Sequence, residues 1–221
     1  MVPLDTLVDR IVAESDPTRV ARARAEFAAR TGPFEPEDPW FEERTRAAFD
    51  FALCAWGEPR GALLVEWATR AGAPERSAAL ALGRAMRGLF RVEGEPARPG
   101  DERVHLVEML GGAPFRVGEG GGVTSRLRAG DVFDGRVVLV EGVVRILPGG
   151  VFHPAEALDA LRDILAAARA AKRSDPSILD GLLRMRMRFD RFTGMHARHV
   201  YRWDAIDKTE ILAASWARPK S

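Results

Sequence analysis

Two histidines near the C-terminus have the spacing of a metal-binding pair on a helix. His196 and His199 are three residues apart, so on a helix both imidazoles project from one face. A zinc site commonly takes four ligands, yet the chain has one cysteine, Cys54, and no H-E-x-x-H sequence. We therefore expect the pair to pack against Trp203 and predict neither a metal nor a cofactor, with metal or haem ligation as the alternative.

The segment around these histidines is also rich in arginine. Six arginines and one aspartate between positions 184 and 202 give a local charge of +5, whereas the whole chain carries +1. Five of the arginines follow one another at steps of three, four or seven residues. Such steps place them on one face of a continuous helix. We name this predicted face the arginine stripe and expect it to bind the ligand: Arg184, Arg188, Arg191, Arg198 and Arg202.

Five arginines on one helix face repel one another, so groups of opposite charge should lie against them. One alternative is that carboxylates of the N-terminal helices cover the stripe, the candidates being Glu42, Glu43, Glu66 and Glu75. The other alternative is that the stripe stays open and contacts phosphate, nucleic acid or an acidic protein surface.

No other motif in the sequence predicts a catalytic centre, and the catalytic residues stay unassigned. The run GEGGG at 118–122 lacks the spacing of a dinucleotide fingerprint and is typical of a hairpin loop. Asp131 and Asp134 lie beside glycines, and we interpret them as turn residues. Cys54 lies in an apolar run and is expected to be a buried, inert thiol.

Composition limits the class of protein. Of the 221 residues, 46% are hydrophobic and 29% are charged, which suits one sizeable core or two small ones and excludes disorder. A net charge of +1 gives no overall attraction to nucleic acid or to anionic membranes. Because one cysteine cannot form an intramolecular disulfide and no apolar run approaches ~18 residues, we expect a cytoplasmic protein without a signal peptide or transmembrane segment.

Hydrophobic periodicity is helical over residues 1–90. A break at 31–39, where TGPFEPEDP holds three prolines, divides this stretch. Asp16 and Pro17 are typical of a helix start. The predicted helical segments lie at 4–11, 17–30, 40–55, 62–71 and 74–90.

Residues 91–152 combine β-type segments with many glycines, which is typical of a small antiparallel barrel or curved sheet. Glu141-Gly142 is typical of a two-residue hairpin turn. The predicted strands lie at 104–110, 114–117, 131–140 and 143–147.

Helical spacing returns over residues 153–221. One helix is expected to follow His153-Pro154, because proline is favoured at the first helical position. The last helix is predicted from Ser177 to about Trp203, and it would contain both the histidine pair and the arginine stripe.

The order of these features resembles that of a loose group of uncharacterised bacterial proteins. The segments that carry the resemblance lie between Phe41 and Leu165: FEERTRAAFDFALCAWGEP, ALGRAMRGLFRVE, VHLVEMLGGAPFRV and LRAGDVFDGRVV. In that group a helical N-terminal part precedes a small β module, and some members end in a SEC-C zinc motif, which a chain with one cysteine lacks. The resemblance implies an α, then β, then α order and no particular activity.

Together these patterns predict an α+β fold in which N-terminal helices and a C-terminal helical pair pack on the β module as one compact body. The favoured function is that of a non-catalytic binding or regulatory protein, which recognises an anionic ligand or an acidic protein partner through the arginine stripe. Two alternatives stay open: a nucleic-acid-associated protein that uses the stripe, and an enzyme with an acid–base site at His196 or His199.

Overall fold

The structure is a computed structural model that describes residues 3–38, 40–94, 103–118, 126–192 and 194–208. Within these ranges helices come first, six strands follow, and helices return, which confirms the predicted α+β class and order of elements. No helix in these ranges is long and apolar enough to cross a bilayer.

The N-terminal helices begin and end at residues that suit helix ends. Their bounds are α1 Leu4–Glu14, α2 Pro17–Thr31, α3 Phe41–Cys54, α4 Ala62–Arg70 and α5 Ala73–Leu82. The Asp16 carboxylate accepts a hydrogen bond from the backbone N–H of Thr18 at 2.8 Å and so caps α2, as its sequence predicts. Gly32 follows α2 with a φ of 101°, a backbone conformation that favours glycine.

The prediction of a helix that reaches Phe90 is wrong at its C-terminal end. Helix α5 ends at Leu82, and the first strand, β1, runs over Met86–Val92. The residues from Met86 to Arg91 pair antiparallel with residues 132–137, and Phe90 and Val92 lie in an apolar core. Pairing with a distant strand therefore overrides the helical spacing of the apolar residues in this segment.

The strands pair in a closed circuit. The remaining bounds are β2 Val104–Glu108, β3 Pro114–Val117, β4 Val132–Val140, β5 Val143–Ile146 and β6 Val151–His153. Pairing runs from β1 through β2, β3, β5 and β4 and returns to β1, while β6 pairs with β4. These pairs are antiparallel except for β3 with β5, which is parallel. We refer to the circuit β1–β5 as the barrel.

Side chains alternate between the inside and the outside of the barrel. Those packed together inside include Phe90, Leu106, Val117, Phe133, Val137 and Ile146. Because neighbours along a strand point to opposite faces, Leu89, Val138 and Val151 point outwards, and each packs with helical residues. Helices therefore cover the outer faces of β1, β4 and β6. No helix among the described residues covers the outer face of β2 and β3, where Pro114 and Arg116 are exposed.

The C-terminal helices are α6 Leu158–Ala170, α7 Ser177–Arg191 and α8 Ala197–Val200. The prediction of one helix from Ser177 to about Trp203 is therefore wrong. Gly194 has a φ of 90°, which no right-handed helix contains, so the chain turns between α7 and α8.

Helix α7 lies in the interior of the molecule. The ten consecutive residues 178–187 are all buried. Leu182 and Met185 pack with residues of α6 and α8, whereas Leu183 and Met187 pack with residues of α2 and α3. A helix that is buried all round has no continuous open face, so its arginines cannot form an exposed stripe.

Candidate functional site

Arg184, the first residue of the arginine stripe, is committed to the protein's own backbone. It is 7% exposed, and its guanidinium donates to the carbonyl oxygen of Ile206 at 2.7 Å and to that of Arg30. Burial lowers the pKa of Arg184, while Asp180 acts in the opposite direction. These bonds tie α7 to α2 and to the C-terminal segment, so Arg184 is not available to a ligand.

Two further residues of the stripe are ion-paired. Arg191 Nη2 donates to the Asp38 carboxylate at 2.7 Å, across the loop that precedes α3. Arg202 Nη2 donates to the Asp204 carboxylate at 2.7 Å. Neither carboxylate is among the acids that the sequence suggested as covers for the stripe.

Arg188 and Arg198 complete the stripe and lie in separate places. Arg188 packs over the ring of Phe192, with 5.9 Å between its guanidinium carbon and the ring centroid. Arg198 is exposed on α8, beyond the turn at Gly194. The structure therefore does not bring the five arginines onto one face.

The acids that the sequence offered as covers for the stripe lie elsewhere. Two of them form ion pairs within the N-terminal helices, Glu66–Arg19 at 2.7 Å and Glu75–Arg10 at 2.6 Å. Glu42 and Glu43 line a cleft. Backbone carbonyls and the carboxylates of Asp38 and Asp204 thus take the role that we expected of these glutamates.

The histidine pair is exposed, so the expectation that it packs against Trp203 is wrong. The His196 and His199 rings lie edge to face with their centroids 6.3 Å apart. Trp203 instead packs in the core around α6 and α7, with Arg173 over its ring. In the described part of the chain, no three residues of the metal-binding types His, Cys, Asp and Glu form a group that could hold a metal ion.

A buried ion cluster joins the barrel to helices. Arg87, in β1, donates to both oxygens of Asp134 at 3.0 and 2.9 Å and to Asp180, in α7, at 2.6 Å. Arg30 of α2 donates to the other oxygen of Asp180 at 2.9 Å. The interpretation of Asp134 as a turn residue is wrong, because it lies within β4, whereas Asp131 does bond a turn N–H. These bonds link β1, β4, α2 and α7 to one another.

Three buried titratable groups lie away from any open surface. Burial raises the pKa of Asp50 to about 7, although Arg136 acts in the opposite direction. Cys54 is buried, as predicted, and burial raises the pKa of its thiol to about 12. His153 Nδ1 lies 3.0 Å from the Tyr201 hydroxyl oxygen, and burial lowers the pKa of His153 to about 3. These groups affect stability rather than ligand contact.

The open face of the barrel forms a groove of about 650 Å³ along β2 and β3. We name it the barrel groove, and the residues that line it include Glu93, His105, Pro114, Phe115 and Arg116. Strand alternation explains the arrangement: Phe115 and Val117 pack towards the barrel interior, so Arg116 between them points out. His105 lies directly opposite Arg116 in the register of β2 and β3.

The charge of the barrel groove is mainly positive. Glu93 forms an ion pair with Arg91 at 2.6 Å, which neutralises its carboxylate. Arg116 is exposed and makes no hydrogen bond or ion pair with the described residues. None of the sequence predictions included this face, although the alternation in VHLVE and PFRV was the available signal.

Comparison with known proteins identifies no relative of this chain. No family model, no curated protein and no solved structure matches it. The function therefore has to be argued from the architecture of the barrel and the chemistry of its open surfaces.

Proposed function

We propose that this protein is a non-catalytic binding protein whose ligand is a single-stranded nucleic acid held in the barrel groove. The observation that carries the proposal is the distribution of the described helices around the barrel: they cover β1, β4 and β6 and none of them covers β2 and β3. A groove on a face that none of the described helices covers is a natural place for a ligand.

The connectivity of the barrel supports this ligand class. Five strands that pair in the order β1-β2-β3-β5-β4-β1, with β3 and β5 parallel, have the arrangement of the OB-fold. Barrels of that kind bind oligonucleotides and oligosaccharides on the face of strands 2 and 3. The open face of this protein lies on the same two strands.

The side chains of the groove favour an oligonucleotide over a neutral oligosaccharide. Arg116 offers a guanidinium to phosphate, and the nearby carboxylate of Glu93 is already neutralised by Arg91. His105, which lies opposite Arg116 on the outer face, supplies a ring on which a base can stack. Phosphate contact and stacking both tolerate any sequence, so we expect weak sequence preference.

The test is binding of a fluorescent oligothymidylate of about 12 nucleotides, measured by anisotropy at about 50 and 200 mM salt. Arg116→Glu should weaken binding at least tenfold and flatten its dependence on salt, because it removes one phosphate contact and adds repulsion. The matched control is Arg198→Glu, since Arg198 is also exposed but lies on α8.

Other outcomes would contradict the proposal in distinct ways. Loss of binding in Arg198→Glu with unchanged binding in Arg116→Glu would place the ligand on the C-terminal arginines. Failure to bind the oligonucleotide, together with binding of a polyglutamate peptide that Arg116→Glu abolishes, would identify an acidic protein partner instead.

A further inference from the structure

A second concave site lies between the N-terminal helices and one end of the barrel. It is a cleft of about 510 Å³, a volume within the range of small-molecule sites. One wall comes from α1, α3 and the residue before α3, and the other comes from the segment before β4 and from β6. We name it the helix–barrel cleft.

The helical wall of this cleft is acidic. Glu42 and Glu43 occupy the first turn of α3, and Asp5 occupies the first turn of α1. Neither glutamate has an ion-pair partner within 4.0 Å in the part of the chain that the structure describes. The single arginine on this wall, Arg46, lies 3.8 Å from Asp9. The helical wall therefore presents carboxylates that can accept a cationic group.

The barrel wall carries the opposite charge. Arg126 and Arg128 line it, and both side chains are exposed. Neither arginine has an ion-pair partner among the residues that the structure describes. Asp131 adds one carboxylate, which accepts the backbone N–H of Arg128 at 2.8 Å. The barrel wall and the helical wall of the same cleft therefore carry opposite net charge.

Each wall of the cleft also carries an aromatic ring. Trp40 and the half-buried Phe152 line the cleft. The guanidinium of Arg186 stacks on the Trp40 ring with 4.5 Å to its centroid, and Arg186 also donates to the carbonyl oxygen of Phe152 at 2.6 Å. The buried Arg186 therefore holds the Trp40 ring and the backbone of Phe152 in place, so the Trp40 part of the site is preorganised.

From this arrangement we infer that the helix–barrel cleft binds a zwitterionic molecule of the size of a short peptide. A cationic group of the ligand pairs with Glu42 and Glu43, an anionic group pairs with Arg126 and Arg128, and an apolar part packs on Trp40. A ligand with a single charge would meet repulsion from one of the two walls. The inference does not depend on nucleic-acid binding in the barrel groove.

The test uses glycyl-phenylalanyl-glycine as the probe, because it carries an ammonium and a carboxylate on either side of an aromatic ring. Binding is followed by NMR titration of the tryptophan indole N–H signals, with Trp40 assigned from Trp40→Phe. The unmodified tripeptide should give saturable shifts of the Trp40 signal. Its N-acetylated and C-amidated derivatives, which lack the positive and the negative charge respectively, should each bind at least tenfold more weakly.

Variants identify the wall that each charge contacts. E42Q/E43Q should weaken binding of the tripeptide at least tenfold and remove the effect of acetylation, while R126Q/R128Q should remove the effect of amidation. E37Q and R162Q are matched controls, because both residues are exposed and outside the cleft. The absence of saturable shifts in the wild-type protein, or equal affinity for the three peptides, would overturn the inference.

Discussion

We predict that the free energy of unfolding of the Asp50→Asn variant increases relative to that of wild type as the pH increases. Asp50 is 2% exposed, and its Oδ2 accepts the N–H of Gly149 at 3.0 Å. Oδ1 has no hydrogen-bond partner among the described residues. Burial raises its pKa from 3.8 to about 7, even though Arg136 and the Gly149 N–H favour the ionised form. Asparagine keeps an acceptor for Gly149 and has no charge to bury.

The direction of the effect follows from which state binds the proton. Between the two pKa values of Asp50, the unfolded chain has lost the proton and the native protein keeps it. The stability that the neutral carboxyl contributes is complete below the unfolded pKa and is lost as the pH rises through the folded pKa. The pKa values differ by about 3, so wild type should lose about 4 kcal/mol relative to D50N across this window.

The assay is urea unfolding of wild type and D50N at a series of pH values from about 4 to 8, at constant ionic strength. The informative quantity is the difference between the two free energies of unfolding, because titrations common to both proteins cancel. D159N is the control for the substitution itself, since the Asp159 side chain is 93% exposed. A D50N difference that stays constant within about 1 kcal/mol would refute the reasoning.

Two further predictions concern buried charged and titratable groups. R87M should cost about 3–5 kcal/mol in the free energy of unfolding, because it leaves the carboxylate of Asp134 buried without its partner, and R87M/D134N should recover part of that loss. A cost below about 1 kcal/mol in denaturant unfolding would contradict this prediction. His153 stays neutral in the native state, so its contribution is present above its ordinary pKa of 6.5 and is lost as the pH falls towards 3, by up to about 5 kcal/mol. H153N should remove this acid sensitivity in thermal melts, and wild-type and variant curves that run parallel with pH would contradict it.

Elements set by neighbouring residues were predictable from the sequence. Asp16 and Pro17 start α2, and Glu141-Gly142 forms the turn between β4 and β5 with positive φ at both residues. The start of β1 was not predictable in this way, because its residues become a strand only by pairing with β4, about 45 residues further along the chain. Residues close in sequence determine the helix ends and the hairpin, whereas pairing with the distant strand β4 determines where β1 begins.

The arginine stripe failed as a prediction for a related reason. Helical spacing shows which residues share a face, but it does not show what the fold packs against that face. The run LRMRMR places arginines two residues apart, and steps of two lie on nearly opposite sides of a helix. Arg186 therefore falls on the apolar side of the helix, which was a signal that arginines of this helix are buried in the fold.

The bonding partners of an arginine indicate whether the residue stabilises the fold or is available to a ligand. Arg184 is buried and bonded to backbone carbonyls, so its loss should change stability and leave the salt dependence of ligand binding unchanged. Arg116 is exposed in the barrel groove without a partner among the described residues, so its loss should change binding and leave stability nearly unchanged. The count of arginines in the sequence cannot make this distinction, whereas measuring both stability and binding for the two variants can.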